Sequence, residues 1–382
     1  MRRAIVLVFG VVACGPSPGM TDDGGSSGDD SSGSAAPTDA SPTSSAATTA
    51  GGEATAGGEA TTGADTGTET GSDTSTGGSG ECDIVEFPDP VLAAAVRLEL
   101  AAPDGPLTGD LVEGLVDLSI QKAGVASLVG LECAVHLRRL LLLHEPIADL
   151  TPLTGLVELE EVHLRDTQVT DLTPLAAKPA LTFLTLSGSP VSDLSPLAGL
   201  PVLNGLYVDE TQVAVLDAIA DIPSLEYFDC SGTPVTDLGP LAGHPGLRSL
   251  SFGDTAVSDL GPLAGSHLVI LHAPRCQISE LGPVAELDPD FIKHNDGPYG
   301  FDDFQIDLTD NLITDMQPLL NPKWSVPAFN GPQCGDIRLS GNPMTQAHIE
   351  ATLPGACAAT GSDISASFSA PCDAGNTCVT TN

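Results

Sequence analysis

Leucine recurs along this chain with a period of 22 residues. Aligned on that period, rungs open at Leu115, Leu137, Leu159, Leu181, Leu203, Leu225, Leu247 and, one residue early, Leu268. A repeat of this length cannot close a core alone and must bury its apolar residues against the repeats above and below it. Within each rung the pattern is L-x-x-L-x-L-x-x-T-x-V-x-x-L, as in Leu159, Val162, Leu164, Thr167, Val169 and Leu172, or Leu247, Leu250, Phe252, Thr255, Val257 and Leu260. The alternating x-L-x-L-x part has the period of two of a half-buried strand. The D-L-[TSG]-P-L that follows, Asp149 to Leu153 for instance, carries a proline suited to a first helical turn and unsuited to a sheet centre. Each rung therefore reads as strand, corner, tight helical turn and return.

This is the signature of a leucine-rich repeat. The expected fold is an α/β repeat solenoid with a curved parallel sheet on its concave face, about ten rungs over 115–345, and caps at both ends. Two degenerate rungs close the series, one with Ile306, Leu308, Asn311, Ile313 and Met316, the other with Ile337, Leu339, Asn342 and Met344. Both have Asn where earlier rungs mostly have Thr, a position whose side chain can satisfy backbone groups at the corner. Insertions near 288–302 and 320–333 stretch the spacing here. Phe291, Tyr299, Phe301, Phe304, Trp324 and Phe329 fall in this region and are expected to pack over the last leucine layer, the other reading being a binding lobe. Ahead of the rungs, 81–114 reads as a helical cap: Leu92, Val96 and Leu100 share one helical face after an Asp-Pro start. A C-terminal cap and cysteine-containing tail are expected over 346–382.

Met1-Arg2-Arg3 followed by the uncharged stretch Ala4 to Ala13 has the pattern of a signal peptide over 1–13, too short for the ~20 residues of a spanning helix. Val11-Val12-Ala13-Cys14 resembles the lipobox of bacterial lipoproteins, which implies lipidation of Cys14 and a cell-envelope address. Gly15 in place of Asp favours the outer membrane or cell surface. From Gly15 to Gly80 the 66 residues are built almost wholly of Gly, Ser, Thr, Ala, Asp, Glu and Pro, with ten acids and no Lys or Arg. Such a segment cannot bury enough apolar surface to fold, so 14–80 is expected to act as a tether with an r.m.s. span of roughly 45 Å.

With 13 Lys+Arg against 51 Asp+Glu, the net charge of -38 excludes attraction to a phosphate backbone. Nine cysteines in an exported chain leave eight for disulfides once Cys14 is set aside, and sequence alone allows 105 pairings. Cys82 flanks the cap helix and Cys133 lies between the first two rungs, so a bridge there would seal the cap. Cys334 and Cys357 bracket the last rung and the helix-like Thr345 to Leu353, while Cys372 and Cys378 could close a small loop. Cys230 and Cys276 sit two rungs apart, ~9 to 10 Å by strand spacing, beyond disulfide reach, and are expected as buried free thiols. No C-x-x-C or C-x-x-H pair suggests zinc.

The chain resembles the internalin-type bacterial leucine-rich repeat proteins over roughly 84–350. The likeness rests on the Phe-Pro-Asp helix start at Phe87 to Asp89, Leu107-Thr108 through Leu111 to the first rung, Gly130-Leu131-Glu132, and rungs ending in Asp-Leu-x-Pro-Leu. It implies a concave sheet face that recognises another macromolecule. Thr replaces much of the Asn ladder, and neither an immunoglobulin-like segment nor a cell-wall anchor pattern follows the repeats, so host-receptor binding is not carried over.

The concave face reads from the residue between the second and third leucines of each rung: Leu141, His163, Thr185, Tyr207, Asp229, Ser251, His272, Asp307 and Arg338, flanked by Leu143, Glu161, Arg165, Asp209, Tyr227 and Asp254. Leu141, Leu143, Tyr207 and Tyr227 are expected to be exposed anchors among polar neighbours, as in interface hot spots. Glu161, His163, Arg165, Asp209, Asp229 and His272 complete the candidate binding set. His163 and His272 are five rungs apart, ~24 Å at strand spacing, too far for a shared metal or acid–base pair. No catalytic residue, cofactor or metal is expected. The Asp before each Leu-x-Pro-Leu (Asp149, Asp171, Asp193, Asp237, Asp259, Asp315, with Glu280 in one rung) is expected to cap the helical turn instead of lining a cation column. The expected function is that of a monomeric, lipid-anchored protein binding a protein partner, with a non-recognising envelope spacer as the alternative.

Overall fold

The computed structural model describes residues 82–102, 104–289, 304–324 and 335–366. The expected signal peptide, Cys14, the tether, most of both insertions, Cys334 and the tail with Cys372 and Cys378 lie outside the described residues.

Eleven parallel strands pair in chain order in a single sheet. They are Asp117–Gln121 (β1), Arg139–Leu143 (β2), Glu161–His163 (β3), Phe183–Thr185 (β4), Gly205–Tyr207 (β5), Tyr227–Asp229 (β6), Ser249–Ser251 (β7), Ile270–His272 (β8), Gln305–Asp307 (β9), Gly335–Leu339 (β10) and Ser362–Ala366 (β11). The first ten are the rungs expected from the leucine period, and the register runs Leu141, His163, Thr185, Tyr207, Asp229, Ser251, His272, Asp307, Arg338 across nine of them. β11 extends the sheet by a strand that the period does not reveal.

Most strands last three residues because the chain turns at once. Three residues after the central face position the backbone enters the left-handed region in all ten rungs: Lys122, His144, Asp166, Gly188, Glu210, Gly232, Asp254, Arg275, Asp310 and Gly341, with φ between 52° and 78°. Seven of these are not glycine, which ordinarily costs about 1 kcal/mol or more. The return is a backbone bond to the next rung, as where His144 N–H donates to the Arg165 carbonyl at 2.8 Å and Glu210 N–H to that of Ser231 at 2.8 Å.

The following residue lines the corner. Thr211, Thr233 and Thr255 donate their hydroxyls to the carbonyls of Val208, Cys230 and Phe252 within their own rungs. Asn311 reaches further: its amide donates to the Ala273 carbonyl at 2.8 Å and accepts from Ile278 N–H at 3.1 Å, stitching two rungs together. Glu145 holds the equivalent place early in the array. It is 1% exposed and its carboxylate accepts Ala123, Gly124 and Val125 N–H, each at 2.7 Å. On the return, Asp149, Asp171, Asp193, Asp237, Asp259 and Asp315 each accept the N–H two residues on, so the capping assignment is borne out for these six.

The apolar positions of all rungs merge into a continuous core, with Cys230 and Cys276 inside it as free thiols. At one end it is closed by the helix Pro90–Glu99, which buries Leu92 and Val96. Asp89 caps that helix through Val91 and Leu92 N–H, and its other oxygen takes Ala126 N–H at 2.8 Å from the first rung. Burial works against its charge, yet these backbone donors together hold its carboxyl below the usual range. The Cys82–Cys133 disulfide ties the same cap to the end of the first rung, with Cα atoms 5.9 Å apart. At the other end the helix Gln346–Thr360 runs a full 15 residues, past the expected end at Leu353, with Pro354 inside it. Cys357 is disulfide-bonded. Trp324 and Phe304 are buried with ring centroids 4.6 Å apart, and the Trp324 indole N–H donates to the Val284 carbonyl at 2.8 Å. These two aromatics thus pack into the continuous core against the turn that follows β8, short of the last leucine layer over which they were expected. No helix among the described residues is long and apolar enough to cross a membrane.

Candidate functional site

Strand alternation sends the leucine-type residues Leu140, Val162, Leu184, Leu206 and Phe228 into the core and leaves their neighbours on the open face of the sheet. Parallel pairing aligns those neighbours in rows. One row carries Leu141, His163, Thr185, Tyr207 and Asp229; another, two residues earlier in each strand, carries Arg139, Glu161, Phe183, Gly205 and Tyr227. Leu143, Arg165 and Asp209 continue beyond the first row.

Aromatic side chains form a zigzag between the rows. The Phe183 ring lies 5.1 Å from the His163 ring and 5.2 Å from the Tyr207 ring, tilted 33° and 34°, within the range of favourable ring pairs. Gly205 makes room for this: a Cβ there would sit 2.7 Å from a Phe183 ring carbon. Phe183 and Gly205 are absent from the set read off the sequence. The signal was a Phe followed 22 residues later by a Gly at the same strand position.

The zigzag changes what two groups of candidates do. His163 is in the expected row but is only 5% exposed, with the Phe183 ring packed beside it. It stiffens the face more than it presents a polar group to a partner. Leu141, Leu143, Tyr207 and Tyr227 are half-buried, packed along the sheet, where full exposure was expected. Burial pushes the His163 imidazole down to about 4, and Glu161 at 3.9 Å is too distant to offset it. Burial likewise raises the Asp229 carboxyl to about 6, opposed by hydrogen bonds from Ser231 and reinforced by the Asp209 charge.

Toward β2 the face is basic and paired. Arg139 grips Asp117 across the strands at 2.6 and 2.9 Å, while Arg165 approaches Asp166 at 3.6 Å. In the centre, the Ser187 hydroxyl donates to Asp209, and Asp229 accepts Ser231 N–H at 2.9 Å. Toward β9 and β10, Arg338 pairs with Asp336 at 2.7 Å and lies 3.7 Å from Asp307. His272 bonds the Gln305 side chain at 3.3 Å, and burial lowers its pKa. His163, Asp229 and His272 stand on β3, β6 and β8, so the sheet does not bring them together.

No protein-family model matches this chain, and neither does any curated protein. Among solved structures it is similar to an internalin, InlF, from Listeria monocytogenes, at 25% identity over 73% of this chain and 75% of that one, with a TM-score of 0.61. It is also similar to internalin C2 (InlC2) from the same organism, at 31% identity over 62% of this chain and 91% of that one, TM-score 0.47. A third likeness is the ectodomain of the plant receptor kinase GASSHO1/SCHENGEN3 from Arabidopsis thaliana, at 16% identity over 60% of this chain and 27% of that one, TM-score 0.45. Strand order, corner chemistry and capped ends define a leucine-rich repeat solenoid. Its helical cap and Asp-Leu-x-Pro-Leu rungs, with the likeness to InlF, make it an internalin-type leucine-rich repeat protein.

Proposed function

We propose that this is a lipid-anchored protein of the cell envelope that binds a protein partner through the concave face of its sheet. The observation that carries the reading is the aromatic zigzag of His163, Phe183 and Tyr207, with Tyr227 in the same row as Phe183, on a face whose other residues are mostly polar. A sheet needs nothing on that side for its own stability, and rings held in register by one another present apolar area at little conformational cost. The lipobox-like Val11 to Cys14 supports the anchor, and the tether composition of 15–80 supports a domain held away from the membrane.

The test uses the full chain as bait in envelope extract. Aromatic anchors typically account for ~2 kcal/mol or more each, so Tyr207→Ala/Tyr227→Ala should lose the captured partner while its melting temperature stays close to that of the parent. Capture that is indifferent to this pair would refute the concave-face assignment. Separately, Cys14→Ser should abolish labelling by a fatty-acid analogue and release the protein from the membrane fraction.

A further inference from the structure

Three residues before the leucine that opens the next rung, on the side of the array away from the sheet, one side chain is buried in each turn. In five successive rungs it is Leu156, Lys178, Leu200, Ile222 and His244. Three of these are aliphatic. Lys178 reaches back to the preceding turn, donating its ammonium to the Leu153 and Thr154 carbonyls at 2.7 and 2.6 Å. His244, 6% exposed, engages backbone through both ring nitrogens.

Its Nδ1 is 3.3 Å from Gly246 N and 3.2 Å from Leu247 N, while Nε2 is 3.1 Å from the Ile222 carbonyl oxygen. A backbone N–H can only donate, so Nδ1 accepts and the ring proton sits on Nε2. Three backbone groups thus select a neutral imidazole in one tautomer. In the rungs opening at Leu137, Leu181 and Leu225 the opening N–H goes to the carbonyl three residues back. Here the His244 side chain takes it. Gly246 lies against the preceding rung, where a Cβ would be 2.6 Å from the Pro223 carbonyl oxygen and 2.7 Å from that of Leu225. The loop from His244 to Leu247 is held down on that rung, and the imidazole bridges the two.

A proton on Nδ1 would put a third donor where two already converge. Both bonds would go, leaving two N–H groups without their acceptor and a cation shut away from water, which is costly. Burial above all, with the Arg248 charge, holds the ring below the ordinary histidine value, against the pull of the Ile222 and Ile219 carbonyls. The other ionisable side chains on the segments packed around it are Asp217 and Asp221 in the rung before, Glu226 and Asp237 in its own, and Asp259 and His267 in the rung after. These are exposed or half-buried, and the charge that bears on the ring is that of Arg248.

We infer that His244 is an acid-sensitive latch: neutral, it holds the loop 244–247 closed on the preceding rung, and protonated, it releases that loop and opens the array there on the side away from the sheet. The sign follows from linkage. An opened loop exposes an imidazole of ordinary value, 6.5, whereas the closed one resists the proton, so opening becomes easier as pH falls below 6.5. The latch goes beyond the concave-face reading and does not depend on it.

The test is residue-resolved amide exchange on the full-length protein at pH 7 and pH 5, each rate divided by its intrinsic rate at that pH. Leu225, whose N–H bonds the Ile222 carbonyl, is the internal reference, because any pH dependence of unfolding as a whole reaches it equally. Protection at Gly246 and Leu247 should fall about tenfold relative to Leu225 between the two pH values. His244→Gln keeps an acceptor and a donor and cannot titrate, so it should retain protection at pH 7 and erase the extra loss at pH 5. His244→Leu, the residue of other rungs, should lower protection at both values alike, and it decides the matter if the glutamine variant fails to fold. Ring nitrogen shifts of the histidine-labelled protein at pH 7, assigned by the signal that either variant loses, should show Nδ1 bare and Nε2 protonated. The latch is overturned if Gly246 and Leu247 simply follow Leu225, if a folded variant keeps the extra acid loss, or if Nδ1 carries the proton at pH 7.

Discussion

His163 and Asp229 occupy one row three strands apart, both shielded from water, with opposite consequences for stability. The folded Asp229 carboxyl titrates near 6 against an ordinary 3.8. Between those values the folded chain holds the extra proton, so the Asp229 contribution falls as pH rises through the window and is lowest above it. His163 titrates near 4 when folded against 6.5. In that window the unfolded chain holds the extra proton, so its contribution falls as pH drops from 6.5 to 4. The two slopes oppose each other where they overlap. Relative to the parent, Asp229→Asn should therefore gain stability as pH rises from about 4 to 6, and His163→Gln should gain as pH falls from about 6.5 to 4. Neither difference should change faster than ~1.4 kcal/mol per pH unit. Urea unfolding at several pH values reads both, and parallel profiles for the two variants would contradict the burial that separates them.

At the scale of the element, the leucine period made the strands legible but concealed what turns the chain. Ten rungs share a left-handed residue, yet only three of these are glycine, so no composition cue marks the position. The conformation is imposed by backbone bonds to the next rung, which are long-range and invisible in a local pattern. The corner position was legible as Thr or Asn, and its one acidic occupant was not. Glu145 works there because three backbone N–H groups converge on its carboxylate. Hydrogen bonds to a charged group contribute ~1.5–3 kcal/mol, and orphaned buried donors cost ~1–3 kcal/mol. Glu145→Ala should accordingly lower unfolding free energy by at least about 2 kcal/mol, and Glu145→Gln by less, since an amide oxygen still accepts. Hydrogen exchange should locate the damage at Ala123 to Val125. The face shows the same division. Its rows followed from alternation, but the packing of Phe183 beside His163 and Tyr207 uses the space that Gly205 leaves on the next strand, a relation between strands that no single rung contains.

For the whole molecule, a solenoid of this kind has contacts only between neighbouring rungs, so it opens from its ends and the caps decide where. The N-terminal cap is tied down three ways: by Leu92 and Val96 in the core, by Asp89 bonding both its helix and the first rung, and by the Cys82–Cys133 bridge. The bridge spans 51 residues, and loop-closure entropy for that span is worth about 4 kcal/mol if the native geometry is unstrained. Cys82→Ser/Cys133→Ser should therefore destabilise the protein by up to about 4 kcal/mol. Because neighbour coupling is local, the loss should be uneven. Amide exchange should accelerate first in Pro90–Glu99 and β1 and least in β5 to β7. A uniform rise in exchange along all eleven strands would mean that the array unfolds as one cooperative unit and that the cap does not control it.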